Sequence, residues 1–177
     1  MGNEFDAFDD STVNISGGSV GSGFDARSGS TVNITGGTVG DSARIFDGST
    51  VNISGGEVGA HLESRGGDVN ISGGNIGSDF IAFGGTLNIS GGAFGAGIDT
   101  VGASSTLIGG EFRLDGTVIS GLETLGDTIS LNVPSGSQLT GTLADGTPFA
   151  FLSWDSDTIG SGTMTLKAAE VAPTGAA

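Results

Sequence analysis

Three polar positions recur in every repeat of the sequence and could form a binding surface. The repeats contain STVNIS, STVNIT, STVNIS, DVNIS and TLNIS, in which polar residues alternate with Val, Leu or Ile. Alternate side chains of a strand point to opposite faces, so the polar positions share one face. This candidate binding face consists of Thr12, Asn14, Ser16, Thr31, Asn33, Thr35, Thr50, Asn52, Ser54, Asn70, Ser72, Thr86, Asn88 and Ser90. The same residues have an architectural interpretation, because stacked Asn amides bond to one another and Thr favours strands.

The titratable residues give little basis for catalysis. His61 is the only histidine, and the repeat register places it at a coil corner between Ser42 and Asp79. A histidine near a carboxylate could act as a general acid or base, but a solvated corner also accounts for it. The few cations are Arg27, Arg44, Arg65, Arg113 and Lys167. Since no long loop leaves the repeats to form a cleft, we predict a protein that is not an enzyme and has no catalytic residues.

The acidic residues do not follow the pattern of a calcium-binding nonapeptide roll. That motif places a coordinating Asp in every turn, whereas Asp25 aligns with Arg44 and Ile81. We therefore predict no regular metal site and no cofactor, and sporadic calcium near Asp9, Asp10 or Asp47 stays open. All five repeats also contain an N-x-[ST] sequon. Glycans on rungs about 4.8 Å apart would collide, so a polar ladder explains these residues better.

Composition excludes several classes of partner. The 177 residues include 20 acidic and 5 basic side chains, for a formal charge of -15, which repels nucleic acid and anionic membrane surfaces. There is no cysteine, so disulfides and Cys-based zinc sites are excluded. No apolar stretch is long enough to insert into a membrane. The 36 glycines argue against a helical solenoid, because each costs about 1 kcal/mol in a helix interior.

The spacing of the repeats predicts the fold. Asn14, Asn33, Asn52, Asn70 and Asn88 lie 19 or 18 residues apart, and a short fixed period indicates a solenoid. Within each repeat an alternating segment, a Gly-Gly pair, a second apolar position and a third short apolar segment follow one another. Period-two alternation predicts strands. The sequence thus predicts an all-β, single-stranded parallel β-helix with three short strands per 18–19-residue coil.

Ladders of equivalent residues support this register. The first inward ladder of the third segment is Phe5, Phe24, Ala43, Leu62, Phe80 and Ile98. The second inward ladder is Ala7, Ala26, Ile45, Ser64, Ala82 and Thr100. Ile45 compensates for the small Ala43, as in a packed core. On the outer side we expect Arg44 to lie between the carboxylates of Asp25 and Glu63. The next ladder alternates Phe8, Arg27, Phe46, Arg65 and Phe83, which is compatible with cation–π stacking or with simple corner variability.

The chain divides into three parts. Residues 1–125 are predicted to form the coils, residues 126–168 a C-terminal cap of strands, and residues 169–177 a disordered tail or linker. The first residues, MGNEFDAFDD, contain no signal peptide and are similar to the end of a repeat. We therefore interpret the sequence as part of a longer chain with a truncated first coil. Such an end would expose Phe5 and Phe8, so we predict a homo-oligomer formed through the open N-terminal end.

The repeat pattern resembles that of a known group of proteins. The VNISGG-x-VG coils, the FDA-x-SGS connections and the segment LNVPSGSQLTGTLADGTPFAF resemble β-solenoid repeats of large exported planctomycete-type bacterial proteins. The resemblance implies a right-handed parallel β-helix, similar in architecture to pectate lyases and autotransporter passengers. It also implies an extracellular or cell-surface location, but no known activity. Left-handed hexapeptide helices share the 18-residue period, so handedness stays open, although their [LIV]-G-x-x-[ST]-x pattern is absent.

The sequence supports one main functional hypothesis and two alternatives. The main one is a non-catalytic, structural or adhesin-like β-solenoid segment of a larger secreted or cell-surface protein, with polysaccharide or another surface protein as partner. The first alternative is a ligand-binding solenoid face for ice, ordered water or polysaccharide. The Thr rows of that face resemble the ice-binding faces of β-solenoid antifreeze proteins. The second alternative is a polysaccharide-lyase-like enzyme. Neither the ligand nor the role of the full-length protein follows from the sequence.

Overall fold

A computed structural model describes residues 5–95, 98–134, 136–152 and 163–173, which form 15 strands and no helix. The strands are β1 (Asp6–Ala7), β2 (Thr12–Val20), β3 (Asp25–Ala26), β4 (Thr31–Val39), β5 (Arg44–Phe46), β6 (Thr50–Val58), β7 (Glu63–Ile76), β8 (Phe80–Phe94), β9 (Ile98–Asp99), β10 (Ser104–Leu114), β11 (Thr117–Val118), β12 (Thr128–Leu131), β13 (Gln138–Leu143), β14 (Pro148–Leu152) and β15 (Thr163–Ala168). None of the described residues belongs to a helix that could cross a membrane.

The strands stack in parallel as the coils of a β-solenoid. About five turns of about 19 residues each make up the stack, which confirms the predicted fold class. Strands β2, β4, β6, β7, β8 and β10 pair in this order, each one coil further along. Equivalent residues face one another, so that Val13 pairs with Val32 and Asn14 with Asn33. The handedness of the helix stays a prediction.

The Gly-Gly pair bends the strand without ending it. Strand β4 continues through Gly36 and Gly37, so one strand covers the first two faces of the coil. Gly37 has a φ of +79°, which residues with a Cβ rarely adopt. A Cβ on Gly36 would lie 2.7 Å from the carbonyl oxygen of Ser16 in the preceding coil. The corner therefore needs both glycines, one for its conformation and one for its contact.

The core consists of the ladders that point into the coils. Phe24, Ala43, Leu62, Phe80 and Ile98 are all buried, as the first inward ladder predicts. The second inward ladder is also buried from Ala7 to Thr100, with Ile45 beside the small Ala43. Burying these side chains removes apolar surface from water, which stabilises the fold by about 25 cal/mol per Å² of buried surface. Each coil contributes to this core only together with its neighbours.

A set of antiparallel strands follows the last parallel coil. Strand β13 pairs with β10 and β14 pairs with β13, both antiparallel. Strand β15 returns to lie parallel to β10, in the position of a further rung. Asp145 joins the β13–β14 turn to the solenoid, because its Oδ2 accepts from Gly92 N–H at 2.7 Å and its own N–H donates to the Ser90 carbonyl at 3.0 Å.

The turn after β10 is held by a carboxylate. Asp115 Oδ1 accepts from the backbone N–H of Gln138 at 2.8 Å. This backbone hydrogen bond and a side-chain hydrogen bond from Ser137 lower the pKa of Asp115 below its usual value. Within residues 169–173 of the predicted tail, Ala169 and Ala172 donate backbone hydrogen bonds to the carbonyl oxygens of Gly109 and Ala144. Residues 174–177, the rest of that predicted tail, lie outside the described residues.

The first coil is less buried than those behind it. Phe5 is 46% exposed and Phe8 is 62% exposed, whereas Phe24 is buried. Phe5 stacks on Phe24 with ring centroids 5.7 Å apart. Val13 is only half-buried, although its counterpart Val32 is fully buried. Among the described residues, β1 and β2 pair on one side only, with β3 and β4.

Candidate binding faces

The five asparagines of the repeats form a continuous hydrogen-bonded ladder. Asn33 Nδ2 donates to Asn14 Oδ1 at 2.9 Å, and Asn52 donates in the same way to Asn33 at 2.9 Å. The ladder continues from Asn70 to Asn52 at 2.9 Å and from Asn88 to Asn70 at 3.0 Å. The amides thus bond to each other along the axis, as the architectural interpretation predicts. Each interior Asn retains one amide hydrogen and one lone pair for other partners.

The threonine row lies beside this ladder on the same face. Thr12 pairs with Thr31, and Thr31 with Thr50, in consecutive rungs. Asp68 takes the next rung and accepts a hydrogen bond from the Thr86 hydroxyl. The row is therefore uniform for three rungs, is interrupted by Asp68 and returns to threonine at Thr86. It is exposed to different degrees, with Thr12 and Thr86 exposed and Thr31 and Thr50 half-buried.

The third polar row is irregular because the backbone bulges there. Ser16 pairs with Gly36 instead of its equivalent Thr35, and the same shift recurs in the following coils. Ser90 Oγ lies 3.4 Å from the Ile71 carbonyl oxygen and donates to it. The structure thus brings together on one face all the residues predicted to form the candidate binding face. Its third row, however, deviates from a flat array at the Gly-Gly corner.

A charged cluster occupies the third segment of the first coils. Asp25 is only 1% exposed and accepts from two arginines. Arg27 Nη2 lies 2.7 Å from Asp25 Oδ2, and Arg44 Nε lies 2.7 Å from Oδ1. Arg27 also bridges to Asp6 at 3.0 Å. One carboxylate therefore joins two successive coils, which the sequence did not indicate because Asp25 was expected on the outer side.

The arginines of this cluster also contact the aromatic ladder. The Cζ atoms of Arg27 and Arg44 lie 5.3 Å and 5.9 Å from the centre of the Phe46 ring. The Arg27 contact is the cation–π stacking that the alternating ladder predicts. The expectation that Arg44 lies between two carboxylates is correct on one side only. Glu63 accepts from Arg65 at 2.6 Å and forms no ion pair with Arg44 in the described part of the chain.

A shallow cavity of about 350 Å³ lies next to this cluster. It is lined by Gly23, Ser42, Arg44, His61, Glu63 and Arg65. Ser42, His61 and Asp79 have φ of 62°, 58° and 60°. All three therefore adopt the left-handed conformation, at the coil corner where His61 was predicted to lie. His61 Nε2 lies 3.7 Å from Asp79 Oδ2, and both side chains are exposed. The cavity is open and polar, and its cations already face carboxylates.

Two buried hydroxyl groups were not identified from the sequence. Thr100 Oγ1 and Ser105 Oγ are buried with no hydrogen-bond partner in the described residues. They line a small cavity, about 10 Å³, at the last coil, where the repeat pattern decays. Among the described residues, no group of three His, Cys, Asp or Glu side chains is arranged to hold a metal ion. Asp9, Asp10 and Asp47, where sporadic calcium was left open, are all exposed.

Comparisons with protein-family models, with curated proteins and with solved structures give no match to this chain. The arguments about function therefore depend on its own residues and geometry.

Proposed function

We propose that this chain is a structural, adhesin-like β-solenoid segment of a larger secreted or cell-surface protein. The observation that carries the proposal is the continuous stacking of equivalent rungs, with the Asn ladder along one face. Each coil contacts only its neighbours, so such a rod can be lengthened without redesign. The charge of -15 favours solubility and separation from anionic surfaces. A polysaccharide or another surface protein is the partner that this role implies.

The surface location has a further basis in the repeat pattern. The coils resemble those of exported planctomycete-type bacterial β-solenoid proteins. The test is protease treatment of intact source cells, followed by mass spectrometry of the released peptides. We expect peptides of residues 1–177 to be released before any cytoplasmic marker protein. Recovery of these peptides only after cell lysis would contradict the proposal.

The mechanical part of the proposal has a separate test. Pulling on single molecules from the two termini should unfold the rod in small successive steps, because each coil is stabilised by its neighbours. Asn52→Ala, in the middle of the ladder, should lower the unfolding force. Asn14→Ala, at its end, serves as the matched control and should change the force less. A single low-force transition that neither variant alters would argue against a rod that resists mechanical force.

A second candidate function is ligand binding by the Thr, Asn and Ser face. It is favoured by the three consecutive rungs of Thr12, Thr31 and Thr50, which pair in register beside the Asn ladder. Ice, ordered water or a polysaccharide would bind through such hydroxyls.

Thr31→Tyr would place a bulky ring in the middle of the row. Thermal hysteresis that is lost in this variant would support ice binding, and its absence at millimolar protein would exclude it. A glycan array that gives no signal would count against polysaccharide binding.

A further inference from the structure

The positive charge of the coils is concentrated in one segment. The chain contains only 5 Lys and Arg residues against 20 acidic ones. Arg27, Arg44 and Arg65 are all the cationic side chains of residues 1–112, and they lie in the third segment of three successive coils. His61, the single histidine, lies at the corner just before β7. An anionic group is therefore attracted to this segment more than to the rest of these coils.

The two arginines that line the cavity beside this segment keep N–H groups for another partner. Arg44 uses Nε and Nη2 to bind the buried Asp25, and Arg65 uses the same two nitrogens to bind Glu63. A guanidinium has five N–H groups, and Nη1 of either arginine has no hydrogen-bond partner among the residues described. The side chains of Arg44 and Arg65 are 39% and 47% exposed, so a ligand in the cavity can reach them.

The same cavity also offers acceptors. Glu63 accepts from Arg65 through Oε2 alone, and neither Glu63 Oε1 nor Ser42 Oγ has a partner in the described part of the chain. A bare anion such as sulfate uses only donors and is repelled by the Glu63 carboxylate. A ligand that carries hydroxyl groups beside a carboxylate uses both the arginines and Glu63. Donors and acceptors together thus favour an acidic sugar over an inorganic anion.

The backbone around the cavity is already bonded. The N–H groups of Gly23, Ser42 and His61 donate to carbonyl oxygens of the next coil at 2.9, 2.8 and 2.9 Å. A peptide therefore finds no strand edge here to which it could add through main-chain bonds. The cavity of about 350 Å³ lies within the range of roughly 300–1,000 Å³ that is usual for small-molecule sites. Recognition at this site depends on side chains and suits a small polar unit.

We propose that this cavity binds a hexuronate unit of an acidic polysaccharide. The carboxylate of the sugar pairs with the guanidinium groups of Arg44 and Arg65, and its ring hydroxyls bond to Glu63 and Ser42. His61 supplies one more ring nitrogen for a hydroxyl group. The inference rests on the proposed function in one respect, since it takes the polysaccharide as partner. It assigns that partner to a site away from the Thr, Asn and Ser face.

The experiment compares two sugars that differ in the carboxylate alone. A tetramer of β-1,4-linked glucuronate and the matching tetramer of glucose are titrated at physiological salt into the isotopically labelled chain and followed by NMR. We expect the glucuronate tetramer to shift the amides of Ser42, His61, Glu63 and Arg65. It should bind about tenfold or more tightly than the glucose tetramer, because its bonds to arginine are charge-assisted.

Arg65→Gln tests the role of the cations. Arg65 is exposed, and the variant should weaken binding of the glucuronate tetramer by about tenfold or more through the lost charge-assisted bonds. Arg113→Gln is the matched control, since it removes the same charge from an exposed position in β10 and should leave the affinity unchanged. Melting temperatures of both variants verify that they fold. The comparison of the two sugars on the unaltered chain decides the matter even if Arg65→Gln does not fold.

Three results would overturn the proposal. The first is equal binding of the two sugars, or of neither. The second is that inorganic sulfate displaces the glucuronate tetramer with a similar affinity, which would make the cavity a simple anion site. The third is that the shifted amides are those of Thr31 and Thr50, which would place the sugar on the other face. Release of the peptides from intact cells without glucuronate binding would refute this site alone. Glucuronate binding by a chain recovered only after lysis would support the site and contradict the surface location.

Discussion

Asn52 lies in the middle of the amide ladder and takes part in two of its hydrogen bonds. It donates to Asn33 and accepts from Asn70, both at 2.9 Å. Asn52→Ala should therefore destabilise the protein by about 1–3 kcal/mol, because it also leaves Asn33 Oδ1 and Asn70 Nδ2 without their partner in the ladder. Asn14→Ala removes one bond at an exposed end and should cost about half as much. Denaturant unfolding of both variants measures the difference, and equal costs would mean that the ladder contributes little.

Asp25 holds two arginines of successive coils and is itself buried. Asp25→Asn removes the charge that both guanidinium groups share, and we expect a loss of about 1–3 kcal/mol, less than for a fully buried pair because the arginines are partly exposed. Glu63→Gln affects the exposed pair with Arg65 and should cost less than about 1 kcal/mol. Thermal unfolding of the two variants compares them. A larger effect for Glu63→Gln would contradict the assignment of Asp25 as the centre of the cluster.

Residue-level expectations were correct where the repeat dictates the environment. The Asn ladder and the inward Phe24 and Phe80 follow from period and alternation alone. The partners of Arg44 did not follow, because ion pairing depends on rotamers of long side chains that a ladder does not determine. The burial of Asp25 was missed for a related reason. A neighbouring coil must supply Arg44 before the carboxylate can be covered.

Gly55 illustrates what the corner elements require. A Cβ at this position would lie 2.6 Å from the carbonyl oxygen of Thr35 in the preceding coil. Gly55→Ala should thus force the coils apart and cost about 1–3 kcal/mol. Gly17→Ala is the matched control, since the same substitution at the open end meets nothing and should be neutral or slightly stabilising. Chemical denaturation of both variants provides the test. A tolerated Gly55→Ala would mean that the coils can separate at this corner.

At the level of elements, the coils could be predicted and their ends could not. Alternation and Gly-Gly spacing predict where each face begins, and the structure confirms the stacked coils. Pairing through the corner, as in β4, could not be inferred, because glycine usually marks the end of a strand. The return of β15 beside β10 is a long-range pairing between segments without repeat identity. No local pattern specifies such a partner.

Asp145 connects the last strands to the rod as a whole. Its carboxylate accepts from Gly92 and from Thr147, so it positions the β13–β14 turn against the end of β8. Asp145→Ala should cost about 1–3 kcal/mol and loosen this end of the stack. A loosened end exposes strand edges, so we expect aggregation on heating as well. Denaturant unfolding measures the loss of stability and light scattering during heating measures aggregation, with Asp127→Ala, at another cap turn, as the comparison. Equal loss of stability and equal aggregation in the two variants would indicate that Asp145 is no more important for this end of the stack than Asp127.

Across the whole molecule, the direction of the Asn hydrogen bonds has a further consequence. All four bonds of the ladder are donated toward the N-terminal end, so the ladder is a row of dipoles aligned along the axis. Aligned bonds polarise one another, so each added rung strengthens those before it. Within the described residues, Asn14 Nδ2 at one end of the row finds no acceptor and Asn88 Oδ1 at the other end receives no donor.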